Sequence, residues 1–219
     1  MNQESAQARR IVVGVTGASG GLYAVRFLKA VLEQGLDVDL VVSDYGKRLL
    51  IEECDLNLKT MGVGEWLDKT YGPVDRPGKL TEHRNNDLGS PIASGSQLWD
   101  AMVVIPCTMK TLGGIAGGAA ASLIERAADV TLKERRQLVL VPRESPLNLI
   151  QLENMLRVAR AGAVIVPAMP AFYFKPRTFE DLADFVAGRI LSVMKIPHSL
   201  FDPWPVAGNR GQDTEGQHG

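Results

Sequence analysis

The residues best suited to chemistry stand where short apolar runs end. The run IVVGV at 11–15 passes into TGASGG at 16–21, directly ahead of a helical pattern. Gly17, Gly20 and Gly21 let the backbone turn tightly and approach a ligand closely. The amides of the following helix N-terminus then face an anion, and Ser19 adds a hydroxyl donor. The run VDLVV at 38–42 ends at Ser43-Asp44, AMVVI at 101–105 at PCTMKT, QLVLV at 137–141 at PRESP, and AVIVP at 163–167 at AMPAFYFKPR. Arg143 in PRESP can fork onto a phosphate or hold the adjacent carboxylate of Glu144. Tyr173 and two prolines flank the same crevice.

These ends must share one edge for their chemistry to combine. Nearly continuous apolar strands separated by helical patterns indicate a parallel sheet covered on both faces. Such sheets bind ligands outside the carboxyl ends of their strands. Leu22, Val25, Leu28 and Leu32 recur at helical spacing after the first run. Helical patterns also cover 124–136, 146–160 and 178–194. The last opens with a capping box of Thr178 and Asp181, ahead of Leu182, Phe185, Val186 and Ile190. On the helix at 124–136, Arg126, Asp129 and Lys133 share one face, an arrangement that alone is ordinarily a solvated ion-pair ladder. The stretch 70–96 is rich in Gly, Pro, Asn and Ser and reads as irregular, long enough to cover a site or a subunit contact. Residues 1–9 read as a flexible N-terminus and 206–219 as a disordered tail. The expectation is one doubly wound α/β domain over 10–205.

The chain has 219 residues, 45% of them hydrophobic and 22% charged, with a net charge of −1. That balance carries no excess of positive charge to attract nucleic acid or an anionic membrane. Apolar stretches fall far short of the roughly 20 residues that span a bilayer, and residues 1–9 lack the apolar core of a signal peptide. Cys54 and Cys107 are too few and too far apart for a disulfide framework, and Cys107 reads as an inert small hydrophobe. His83, His198 and His218 are scattered, with neither a Ser-His-Asp arrangement nor a metal-ligand cluster visible. Glu180, Asp181 and Asp184 are the nearest approach to an acidic metal motif. They stand at a helix start, where carboxylates cap amides, and Asp181 and Asp184 are expected to project into solvent. A cytoplasmic protein without a metal is expected.

The opening VTGASGG also suits a dinucleotide enzyme of the short-chain dehydrogenase type. Such an enzyme needs a Tyr-x-x-x-Lys pair, and none of Tyr23, Tyr45, Tyr71 and Tyr173 has a lysine four positions on. A mononucleotide such as FMN needs one phosphate cradle and is content with Ser43 where a dinucleotide enzyme places its ribose acid. Thr108 and Thr111, with nearby amides, can hold flavin edges or a phosphate. Lys110 is either a flavin neighbour or a solvated lysine.

Together, TGASGG (16–21), SGS (94–96), PCTMKTL (106–112), IERAADVTLKERR (124–136), LVLVPRESP (138–146), LENML (152–156) and GAVIVPAMPAFY (162–173) resemble the flavin prenyltransferases, the UbiX family. The resemblance spans residues 10–204, and LKERR followed by LVPRE is its most specific part. The related flavin-dependent cysteine decarboxylases carry Pro-Ala-Ser-Ala-Asn-Thr where this chain has Pro106-Cys107-Thr108. The resemblance implies a Rossmann-like or flavodoxin-like flavoprotein, assembled as a homododecamer with sites between subunits. It implies transfer of a dimethylallyl group from dimethylallyl monophosphate to N5 and C6 of reduced FMN. The prenylated FMN would serve a UbiD-type decarboxylase. Flavin-dependent decarboxylation of aromatic or peptidyl-cysteine substrates is the alternative.

The same resemblance assigns roles residue by residue. Gly17, Ala18, Ser19 and Ser43 would receive the FMN phosphate. Thr108, Met109, Lys110 and Thr111 would line the flavin, and Arg143 would contact it near the prenyl donor. Ser94, Gly95, Arg126, Lys133, Glu144, Tyr173 and Arg189 would hold dimethylallyl phosphate. Glu53 occupies the family's acidic position after the second strand, and Trp204 its C-terminal aromatic. Lys133 and Arg189 would stabilise the departing phosphate. Tyr173 would donate a hydrogen bond to it, Glu144 would orient the basic groups or relay a proton, and Trp204 would shelter a cation.

Overall fold

The structure, a computed structural model, describes residues 9–202. The expectations for residues 1–8, the tail at 206–219 and Trp204 lie outside the described residues. Among the described residues six strands form one sheet: β1 (Arg10–Val15), β2 (Asp37–Val42), β3 (Leu80–Arg84), β4 (Ala101–Cys107), β5 (Gln137–Pro142) and β6 (Val164–Ile165). Their order is β3-β2-β1-β4-β5-β6, and every pairing is parallel. Chain order reverses between β1 and β4, which opens a crevice at their carboxyl ends.

Among the described residues seven helices cover the sheet: α1 (Gly21–Glu33), α2 (Asp44–Cys54), α3 (Val63–Tyr71), α4 (Met109–Ala116), α5 (Leu123–Lys133), α6 (Leu149–Arg160) and α7 (Phe179–Val193). Ile11, Val13 and Val15 pack with α1, α3 and α7, whereas Val12, Met102 and Val104 pack with α4 and α5. Burial on both faces is why β4 is apolar throughout and β1 and β5 are apolar after their first residues, whereas β2 admits one buried charge, Asp39. The capping box of α7 forms as expected. Asp181 N donates to Thr178 Oγ1 at 3.1 Å, and Thr178 N donates to the Asp181 carboxylate at 3.0 Å.

Two expectations are corrected. The stretch 70–96 contains β3, whose sequence LTEHR gives no apolar signal. As an edge strand with largely exposed side chains it takes its register from β2 rather than from its own burial. Asp184 does not project into solvent. It pairs with Arg26, with side chains 15% and 12% exposed, because α7 packs directly on α1.

Candidate active site

Three helix N-termini meet where β1, β2 and β4 end. Buried Thr16 ties two of these ends together: its Oγ1 donates to the Pro106 carbonyl at 2.7 Å and accepts from Thr108 N at 2.8 Å. Ser43 caps α2 by accepting from Gly46 N at 3.0 Å. A Cβ on Gly46 would lie 2.6 Å from the Val15 carbonyl oxygen, so only glycine lets α2 start this close to β1. Gly17 is constrained in the same way, since its Cβ would lie 2.4 Å from that of Tyr45. Thr108 caps α4 by accepting from Thr111 N at 3.1 Å, and its hydroxyl donates to Thr111 Oγ1 at 3.0 Å. Helix N-termini gathered this way favour an anion.

At the start of α1 the expectation of open amides needs correction. Gly20 N and Gly21 N donate to Glu53 Oε2 at 2.9 and 2.7 Å, so a carboxylate from α2 already takes the place of an anion there. Arg143 Nε donates to the Ser19 carbonyl at 2.9 Å, joining the end of β5 to the same loop. Burial pushes the Glu53 carboxyl upward. Hydrogen bonds from Ser19, Gly20 and Gly21 and the charge of Arg143 outweigh it and hold the group below its ordinary value. Ser19, Tyr23, Glu53, Arg143 and Phe179 line a pocket of about 280 Å³. The sequence marked Tyr23 only by its lack of a lysine partner. Cys107 is fully buried, which pushes its thiol up to about 12, in keeping with an inert residue.

This edge fits a mononucleotide. Ser19, Ser43, Thr108 and Thr111 supply hydroxyls around helix N-termini, and Met109 and Lys110 open α4 beside them. Asp44, where a dinucleotide enzyme would hold a ribose, has a side chain 97% exposed and paired with Lys47. Among the described residues no group of three His, Cys, Asp or Glu side chains is placed to hold a metal.

The residues expected to hold the prenyl donor do not converge within one chain. Tyr173 and Arg189 line one cavity of about 580 Å³, with Tyr173 packed edge-on against Phe174 and Phe185. Glu144 follows Arg143 in the turn after β5, and its carboxylate accepts from Ser145 N at 3.0 Å. Lys133, Ser94 and Gly95 stand elsewhere. Lys133 closes α5 ahead of β5, and Arg143 follows β5, so a six-residue strand about 20 Å long separates them. Lys133 Nζ pairs with Glu134 Oε1 at 2.5 Å. A Cβ on Gly95 would lie 2.2 Å from that oxygen and 2.9 Å from Lys133 Nζ, so the SGS loop rests on this pair. Arg126 donates from Nε to the Ala93 carbonyl at 3.1 Å and from Nη1 to Asp129 at 2.8 Å. A helix antiparallel to its strands has its C-terminus at the opposite edge, which is why Lys133 is so far from Arg143.

The fold also assembles what the scattered histidines did not suggest. Asp39 Oδ1, His83 Nε2, His83 Nδ1 and Ser90 Oγ form a chain with separations of 2.7 and 2.9 Å. Ser90 is 4% exposed, so this serine has no room to attack a substrate. His83 and Asp39 are contributed by β3 and β2, and no sequence spacing announces that adjacency.

The flavoprotein family profile matches residues 1–195. A flavin prenyltransferase UbiX of Alkalihalophilus pseudofirmus is 46% identical over 194 residues, covering 89% of this chain and 95% of that protein. The crystal structure of AnUbiX in complex with FMN and dimethylallyl pyrophosphate superposes with a TM-score of 0.81 at 41% identity, over 91% of this chain and 99% of the other. A dodecameric FMN-dependent UbiX-like decarboxylase from Escherichia coli superposes with a TM-score of 0.79 at 40% identity, over 90% and 100% of the two chains. With identity of this order over nearly the whole length of each relative, the chain belongs to the UbiX family of flavoproteins, the flavin prenyltransferases.

Proposed function

We propose that this protein transfers a dimethylallyl group from dimethylallyl monophosphate to FMN, as a cytoplasmic enzyme whose product serves a UbiD-type decarboxylase. The observation that carries the reading is the strand-end cradle of Ser19, Ser43, Thr108 and Thr111, suited to one phosphate and paired with no ribose acid. Gly17, Ala18 and Ser19 with Ser43 would hold the FMN phosphate. Thr108, Met109, Lys110 and Thr111 would flank its ring, with Arg143 above the loop. When bound, reduced FMN supplies the electron-rich ring whose N5 and C6 accept the five-carbon group.

The chain's own residues act on the donor. As the allylic carbon–oxygen bond breaks, negative charge collects on the leaving phosphate, where Lys133 and Arg189 neutralise it and Tyr173 donates a hydrogen bond. Ser94, Gly95 and Arg126 position that phosphate. Glu144, beside Arg143, orients the basic groups or takes the proton displaced from the ring carbon. Glu53 holds the loop at Gly20 and Gly21 so that the cradle keeps its shape.

Because the Lys133 and Arg143 groups lie at opposite ends of β5, this reading completes the site from different copies of the chain. The apolar surface supports such an assembly. On α6, Leu149 and Ile150 are 70% and 69% exposed, and Met169 and Phe172 are exposed to a similar degree. A dodecamer like that of the E. coli relative is the proposed form.

The test is direct. The protein is incubated with reduced FMN and dimethylallyl monophosphate, and the flavin is examined by mass spectrometry. A five-carbon adduct is expected. Unmodified flavin, or carbon dioxide released from an aromatic acid instead, would overturn the reading.

A further inference from the structure

The loop that carries Ser94 and Gly95 is held in place in part by side chains that take no part in the transfer chemistry. Asp39, on β2, is buried and receives Arg10 Nε and Nη2 at 2.5 and 2.9 Å. Its Oδ1 faces His83 Nε2 at 2.7 Å. A carboxylate only accepts, so the proton of the ring sits on Nε2, and in the neutral ring Nδ1 is left as an acceptor. Ser90 Oγ lies 2.9 Å from that nitrogen and donates to it. The imidazole, carried by the edge strand β3, thus binds the neighbouring strand β2 on one side and the start of a new segment on the other.

From Ser90 the chain makes a single helical turn, Pro91–Ala93. Ala93 N donates to the Ser90 carbonyl at 2.9 Å, and Ser94 N to the Pro91 carbonyl at 3.1 Å. Two arginines hold the end of this turn and the residues after it: Arg126 donates to the Ala93 carbonyl, and Arg136, at 2.9 Å, to the Gly95 carbonyl. Arg136 is itself stacked over Trp99 at 4.1 Å. Ser90 is therefore the upstream anchor of a short segment whose downstream end rests against Lys133 Nζ.

We propose that His83 is a positioning residue for the donor-phosphate subsite, acting through Ser90 to place Ser94 and Gly95 beside Lys133, with Asp39 fixing the tautomer that makes this possible. The inference rests on the reading of Ser94, Gly95 and Lys133 as donor-phosphate ligands. His83 touches neither flavin nor donor in it. It sets where the loop can be, so it bears on donor binding and leaves the flavin cradle alone.

The test uses His83→Gln and Ser90→Ala in the full-length, FMN-loaded protein. A glutamine amide reaches the Nε2 position, so Asp39 keeps its donor while the link to Ser90 is cut. Ser90→Ala cuts the same link without touching His83 or Asp39. Loss of one ordinary hydrogen bond corresponds to about a two- to tenfold rise in KM for dimethylallyl monophosphate, with kcat and FMN affinity unchanged. Amide hydrogen exchange in residues 91–97 should quicken by a similar factor in both variants. An unchanged donor KM in both variants, or a parallel loss of FMN affinity, would overturn the proposal. If the unaltered protein makes no flavin adduct, the functional reading fails first. Hydrogen exchange then decides the anchor alone, and unchanged exchange at 91–97 would refute it.

Discussion

Arg143 donates from Nε to the carbonyl oxygen of Ser19 at 2.9 Å, across 124 positions of sequence. The bond brings the end of β5 to the loop after β1, over the switch point of the sheet. Its donor is charged and its acceptor is a backbone carbonyl, so the loop is held by a group that is itself offered to a ligand. Glu53 approaches the same loop from α2, and the two side chains bracket Ser19 and Gly20 with opposite charges.

Arg143→Ala should therefore loosen the cradle as well as remove a contact. Loss of one hydrogen bond to a charged group costs about 1.5 kcal/mol, roughly a tenfold rise in the FMN dissociation constant. Titration of flavin fluorescence checks it. An affinity within about twofold of the unaltered protein would show that Arg143 does not organise the cradle.

Lys133→Ala and Arg189→Ala are expected to slow prenyl transfer while FMN stays bound. If each contact strengthens as the phosphate departs, its loss costs about 2.7–4 kcal/mol in the barrier. Because Lys133 and Arg143 lie at opposite ends of β5, Lys133→Ala and Arg143→Ala subunits mixed in one assembly should recover part of the lost activity. Single-turnover rates of the separate and co-assembled variants test both statements, and a mixture no better than its parts would place the two residues in separate sites.

Glu53 makes stability depend on pH. Burial raises its pKa, but the Ser19, Gly20 and Gly21 hydrogen bonds and Arg143 bring it below the ordinary 4.5. With a folded value below the unfolded one, the group's contribution is complete above 4.5 and is lost as pH falls through the folded value. Melting temperatures measured downward from about pH 6 should fall more steeply below that point in the unaltered protein than in Glu53→Gln. Parallel curves would remove Glu53 from the account.

Turnover should survive EDTA, since Lys133, Arg143 and Arg189 offer positive charge for a monophosphate. Asp184→Asn should lower stability by about 1–3 kcal/mol, because it leaves the largely buried Arg26 without its carboxylate. Asp181→Asn disturbs a cap rather than a metal. Rates with and without chelator, together with urea unfolding of Asp184→Asn, decide the matter. Strict dependence on added Mg²⁺ that is lost in an Asp181→Asn, Asp184→Asn double variant would mean that the start of α7 holds a metal.

Much of the frame was legible because it depends on local chemistry. β1, β2, β4 and β5 are buried on both faces, so their runs are largely apolar and easy to read, with Asp39 the interruption in β2. Thr178 and Asp181 lie three residues apart, and their capping box depends on nothing farther away. The glycines of the first loop declared a close approach, although their partners, Tyr45 for Gly17 and Glu53 for Gly21, did not show in the sequence.

What the sequence by itself determined was the run of strands and helices, the edge where ligands collect, and the family that shares its motifs. Only the tertiary structure decided which residues meet. β3 exists because β2 offers it an open edge, not because LTEHR seeks burial. Asp39, His83 and Ser90 became a chain because two parallel strands brought distant residues side by side. Lys133 and Arg143, ten positions apart, were driven to opposite ends of the sheet by the direction of α5 and the length of β5. Periodicity and capping act over a few residues of chain, whereas these pairings depend on how whole elements are stacked and in which direction they run.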